Sequence, residues 1–316
     1  MRKKNLYIVF VYRVFNLKLK ILSMKKIFIL LSGALLILKS SIAQDSVNVT
    51  NRDNITNQTT SITSDKETSK HPYKTSFKTD APIIVIGLGL TYLGNTLIKN
   101  EKPLTVAELA DKTKDKVPFF DRGNAGFYSD KINKASYIPM LGSYVVPLAM
   151  LLANKNERTN ASYILVMYVE SLSITSALFT MAAGTIHRPR PLVYGTIAPT
   201  DQRINKNNQR SFFAGHTATT ASATFFAAKV FQDLNPDSKA KPFVWVIAAA
   251  IPAVVGYMRY QSGFHFLSDN LLGYAVGAAS GILIPQWHKS KAYKNLSIVP
   301  QVGKDVKGLS MVYNIK

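Results

Sequence analysis

The chain has 316 residues, 39 Lys and Arg against 18 Asp and Glu, and no cysteine, which excludes a disulfide scaffold and any cysteine-ligated metal. Hydrophobic residues make up 47% and charged residues 18%, which excludes an extended disordered polymer and leaves a globular or membrane-embedded protein. Of the net charge of +21, nine cations lie in the first 44 residues; the remaining excess suits anionic headgroups or phosphate substrates, and no nucleic-acid module is visible.

From the N-terminus, Met24-Lys25-Lys26 precedes an apolar run from Ile27 to Leu38 and then Ser41-Ile42-Ala43, the tripartite layout of a secretory signal. Residues 1–23 read as a lengthened leader or as a start assigned too early, with Met24 the true start. An uncleaved anchor helix is the alternative. In either case the two lysines stay in the cytoplasm and Asp45 onward lies outside it. Residues 44–80 are rich in Asn, Thr, Ser and Lys and read as a disordered polar spacer.

Six apolar stretches follow, near residues 82–98, 136–153, 161–183, 213–232, 243–258 and 266–285. Their lengths suit short membrane spans or buried bundle helices, so the expected fold is an all-α bundle. The expected organisation is a signal at 1–43, a spacer at 44–80, a helical domain at 81–286 and a tail at 287–316. In that tail Ser297-Ile298-Val299 and Leu309 to Tyr313 suit a small β-hairpin. Gly273, Gly277 and Gly281 stand four apart on one helical face and predict close helix packing. Glu170 and Lys229 lie inside apolar stretches and predict contact with protein or a wet cavity rather than lipid. If residue 45 is outside and all six stretches cross a membrane, loops 184–212 and 259–264 face the cytoplasm. If the first stretch only lies beside the bundle, both loops face outside.

Three of the five histidines sit in those two loops or at the helix starts beside them. His187-Arg188-Pro189-Arg190-Pro191 ends a helix and presents two guanidiniums, whose donor forks suit phosphate oxygens. Ser211-Phe212-Phe213-Ala214-Gly215-His216 places a glycine and a histidine at a helix start, where free N–H groups and the dipole favour an anion. In Arg259 to Asp269, His265 and Asp269 stand four apart, where the carboxylate can fix the imidazole tautomer and leave the other nitrogen as a nucleophile, or the two can form a plain surface pair. Arg259 precedes them, positioned to hold an anion over the ring.

Together, Arg190-Pro191, Gly215-His216 and Arg259-x5-His265-x3-Asp269 resemble the three-part signature of the type 2 phosphatidic acid phosphatase and vanadium haloperoxidase superfamily, over about residues 136–286. The resemblance implies that His265 is the nucleophile, Asp269 its orienting partner and His216 the acid for the leaving oxygen. It implies that Arg190, Arg259 and the Gly215 N–H stabilise the pentavalent phosphorus. The residues present require no metal or cofactor for this. The chain departs from the family pattern at Ala183, where a lysine is expected, at Phe213 and Ala214, where proline and serine are expected, and at Met258. Arg188 or His187 is expected to fill the gap in positive charge. The implied activity is hydrolysis of phosphate monoesters or pyrophosphates, with a phosphorylated lipid or small phosphate ester as partner, at the cell envelope with the site on the periplasmic side. The alternatives are a non-catalytic phosphate-headgroup binder and a vanadium-dependent haloperoxidase.

Overall fold

The computed structural model describes residues 71–289 and the backbone of two strands, Leu296–Val302 and Lys307–Tyr313; the signal segment and most of the spacer lie outside the described residues. Six helices of 17 to 25 residues form the body: α1 (Phe77–Lys99), α2 (Tyr137–Ala153), α3 (Ala161–Thr185), α4 (Gly215–Leu234), α5 (Lys241–Gln261) and α6 (Leu267–Lys289). Each coincides with one apolar stretch. Helix α1 begins at Phe77, inside the expected spacer, because its first turn is set by polar chemistry. The Asp80 carboxylate accepts the Ser76 N–H at 2.8 Å and lies near the positive end of the helix. The tail forms the expected hairpin, with Leu296 opposite Tyr313 and Val302 opposite Lys307 in β1 (Leu296–Val302) and β2 (Lys307–Tyr313).

The helices alternate in direction. Gly87 of α1 faces Ser173, and Gly94 faces Thr180, so α1 runs parallel to α3 along its length. Tyr137, at the start of α2, stacks on His216 at the start of α4, while Asn154 past the end of α2 bonds Asn235 past the end of α4. The glycine stripe of α6 lies on the α4 backbone: a Cβ at Gly273, Gly277 or Gly281 would fall 2.6, 2.0 or 2.5 Å from the carbonyl oxygens of Ala214, Ala218 and Ser222. These two helices are therefore parallel and in close backbone contact.

Five of the six helices are long and apolar enough to cross a membrane. Their outer faces expose Val85, Tyr92, Ile138, Leu152, Phe243, Val246, Leu271 and Leu283. Such a belt exceeds what a soluble monomer leaves in water and matches a lipid-facing surface, so the bundle is that of a membrane protein. The exception is α4, whose Thr217, Thr220, Ser222 and Thr224 are buried at the centre of the bundle. Ser222 bonds Ser171 of α3 at 2.9 Å, and Thr224 donates to the Ala248 carbonyl of α5 at 2.8 Å. The two charges inside apolar stretches are paired with protein: Glu170 with His288 at 2.8 Å and Lys229 with Asp233 at 2.8 Å.

With α1 packed along α3, residue 77 stands at the end of the bundle opposite loops 184–212 and 259–264. If all six helices cross, an exported spacer and an outward-facing site exclude one another.

Candidate active site

The site lies where α3 and α5 end and α4 and α6 begin. Pro189 and Pro191 turn the chain out of α3, and the next segment is zipped to the one before α4: Arg190 N–H donates to Asn208 O at 2.9 Å and Ser211 N–H to Arg188 O at 2.7 Å. The loop after α5 turns at Gly263, whose φ of +75° favours glycine; a Cβ there would stand 1.8 Å from the Phe127 carbonyl oxygen. That loop is tied to the other two. Leu192 N–H donates to Gly263 O at 3.0 Å, and the buried Asn124 amide donates to the carbonyls of Tyr260 and His265, each at 2.9 Å. Three loops far apart in sequence, with residues 119–129 as a fourth wall, form one backbone unit.

His265 is 3% exposed, and its Nδ1 bonds the Ser211 carbonyl oxygen at 2.7 Å. Since a carbonyl only accepts, Nδ1 carries the proton and Nε2 keeps the lone pair in the neutral ring. This corrects the expected role of Asp269. Its Oδ2 lies 3.9 Å from His265 Nδ1, and instead accepts the Ser211 hydroxyl and the Phe266 N–H, the latter at 2.9 Å. The carboxylate therefore fixes Ser211, whose carbonyl in turn fixes the imidazole. Arg188 is likewise placed otherwise than expected, against carboxylates. Its guanidinium spans the carboxylates of Asp269 and Asp121, and Asp121 also holds Ser268 through its N–H at 3.0 Å and its hydroxyl at 2.6 Å. His187 points outward to Glu101, at 2.8 Å, so neither residue replaces the missing lysine.

Arg190 and Arg259 are 9% and 2% exposed, and both guanidiniums stand 4.8 Å from the Phe264 ring centroid. Arg259 also donates to Asn133 Oδ1 and, at 3.3 Å, to Ser136 Oγ. Four buried nitrogens in this region have no partner: Arg190 Nε, Arg210 Nε, Arg259 Nε and His216 Nε2. The three guanidinium nitrogens among them are donors, costly when buried unpaired, and an oxyanion satisfies them. Burial, and then the charges of Arg259 and Arg210, hold the Arg190 pKa well below its ordinary value. Burial, followed by the charges of Arg259, Arg190 and His216, holds His265 well below the imidazole range, so its ring is neutral at neutral pH.

At the start of α4, Ala214 supplies no side-chain cap, and helix geometry leaves the first-turn N–H groups without intrahelical partners. Gly215 sits where a Cβ would meet the Phe179 ring at 2.6 Å. His216 packs edge-on against Tyr137, with centroids 4.5 Å apart at 87°. Ala183 is buried at 2% exposure and contributes no charge. Arg210, whose charge acts on Arg190 and whose buried Nε has no partner, is a further cation near this end that the sequence reading missed, along with Asp121, Asn124 and Ser211. The position of Arg210 directly before the glycine-histidine segment is the one local signal it carries.

The model of the PAP2 superfamily matches residues 161–293, a span that contains Arg188, Arg190, Arg210, Gly215, His216, Arg259, His265 and Asp269. Among solved structures, the chain is similar to a transmembrane PAP2-type phosphatidylglycerolphosphate phosphatase from Bacillus subtilis. That likeness is 18% identical, covers 67% of this chain and 96% of that one, and has a TM-score of 0.41. No curated protein matches the chain.

Proposed function

We propose, from the match of the PAP2 superfamily model to residues 161–293, a membrane-embedded phosphatase that hydrolyses phosphate monoesters or pyrophosphates of lipids through a phosphohistidine at His265. The observation that carries this reading is the set of four unpartnered buried nitrogens beside an imidazole whose Nδ1 is locked by Ser211 O. Arg190, Arg210 and Arg259 bind the nonbridging phosphate oxygens, together with the first-turn N–H groups of α4. The incoming negative charge offsets their field and allows His216 to hold a proton. His265 Nε2 attacks phosphorus in line, the bond from phosphorus to the leaving oxygen breaks, and His216 gives that oxygen its proton. Water, deprotonated by the same His216 nitrogen, then attacks the phosphohistidine, breaks the N–P bond and releases inorganic phosphate. The arginines and N–H groups favour the pentavalent state because charge builds on its equatorial oxygens.

The lipid part of the proposal is supported by the surface around the site. Phe119, Phe120, Ile186, Ile197 and Leu267 are exposed at this end of the bundle, where an acyl chain would pass from the bilayer to the pocket. The test is phosphate release from a panel of lipid monophosphates and pyrophosphates by the detergent-solubilised protein, with and without vanadate. Release that vanadate inhibits is expected; no release from any member contradicts the proposal. Ala183 and Ala214 favour a second reading, a non-catalytic binder of phosphate headgroups, for which the same panel gives vesicle binding without release.

A further inference from the structure

A second cluster of ionisable groups lies at the other end of the bundle. Asp80 of α1, Glu170 of α3 and His288 of α6 are 3%, 0% and 0% exposed, and one ligand atom from each lies within 4.8 Å of the others. His288 is oriented as a metal ligand is: its Nδ1 lies 2.6 Å from the Lys74 carbonyl oxygen and so donates to it, which aims Nε2 at Glu170 Oε2, 2.8 Å away. An ion pair between the two side chains accounts for one carboxylate oxygen only. Glu170 Oε1 is buried with no hydrogen-bond partner, and a buried carboxylate oxygen without a donor is costly.

We propose that this cluster binds one divalent transition-metal ion, through His288 Nε2, Glu170 and Asp80. One imidazole nitrogen and two carboxylates form a borderline-to-hard donor set that suits Zn²⁺ or Mn²⁺. The ion clamps the start of α1 to α3 and to the end of α6, so its role is structural and separate from the phosphate site. The proposal does not depend on the phosphatase reading.

The test uses untagged full-length protein in detergent, stripped with a chelating resin, equilibrated with Zn²⁺, desalted and measured by mass spectrometry of the metal. The wild type is expected to retain about one Zn²⁺ per chain and to melt at a higher temperature than the stripped protein. A His216→Ala, His265→Ala double variant is expected to retain the same amount, and Glu170→Gln to lose it. Wild type that retains no Zn²⁺ overturns the proposal, whether or not the variants fold. So does loss of the metal in the double variant, which would place the ion among the active-site histidines, and so does full retention in Glu170→Gln.

Discussion

At the scale of residues, the distribution of positive charge decides the chemistry. Arg188 is consumed by Asp121 and Asp269, whereas Arg190, Arg210 and Arg259 each keep an unpartnered Nε. If the proposed site uses Arg210 in place of the ammonium absent at Ala183, Arg210→Ala is expected to lower kcat/KM about 100-fold, as the loss of one oxyanion donor does. Ala183→Lys in the Arg210→Ala background is expected to recover part of the loss; unchanged kinetics in Arg210→Ala would remove Arg210 from the site. The same field sets the pH dependence. Burial and the neighbouring cations lower the His265 pKa, so the attacking lone pair is lost only as pH falls below the ordinary imidazole range. Arg190→Gln removes part of that field and raises the His265 pKa, and the acid limb of kcat/KM is expected to move to higher pH. A shift to lower pH, or none, contradicts this account. His216, Arg259 and His265 were legible in the sequence because each lies in a short local pattern. Asp121, Asn124 and the Ser211 carbonyl were not, because they reach the site across 54 to 147 residues of chain, and no spacing records such contacts. Asp269 was legible as a residue and misread in its contact: four residues on a helix give a shared face, while the Ser211 hydroxyl decides where the carboxylate points.

At the scale of elements, α4 and α6 carry the geometry. Ala214 N–H donates to the Asp269 carbonyl at 3.0 Å, which joins the two helix starts, and below it the glycine stripe keeps the helices in backbone contact. Their registry brings the two helix starts, with His216 on one and His265 just before the other, to the same end of the bundle. Gly277→Ala puts a methyl 2.0 Å from Ala218 O and is expected to cost about 3 kcal/mol, read as a lower melting temperature. Gly142→Ala on α2 meets nothing within 4 Å and is expected to be neutral or to stabilise by about 0.5 kcal/mol. Equal stability of the two variants would mean that the α4 to α6 contact is not tight. The stripe was legible from its period of four. That its partner is α4, the most polar of the six helices, was not, because hydropathy reports composition and not which neighbour shields a helix.

At the scale of the whole molecule, six alternating helices place the candidate site at one end of the bundle and the Asp80, Glu170 and His288 cluster toward the other. The absence of cysteine makes the arrangement measurable against no background. Asp201→Cys lies in the loop between α3 and α4, at the site end, and Asp237→Cys between α4 and α5, at the opposite end; both positions are exposed. With a membrane-impermeant maleimide, one of the two is expected to label in intact cells and the other only after permeabilisation. Labelling of both from the same side contradicts a bundle that spans the membrane. The identity of the accessible position states which way the site faces, a choice that lysine and arginine counts left open because the site loops carry cations for chemistry as well as for topology.

In the proposed reaction His265 Nε2 forms a bond to phosphorus, and that bond can be trapped. Turnover of a ³²P-labelled lipid phosphate, quenched within milliseconds into alkali, preserves a phosphohistidine, which is stable to base and labile to acid. Base-stable label is expected on the peptide that contains His265, with neither label nor phosphate release in His265→Ala. Phosphate release by His265→Ala at the wild-type rate, or label on another residue, would contradict it.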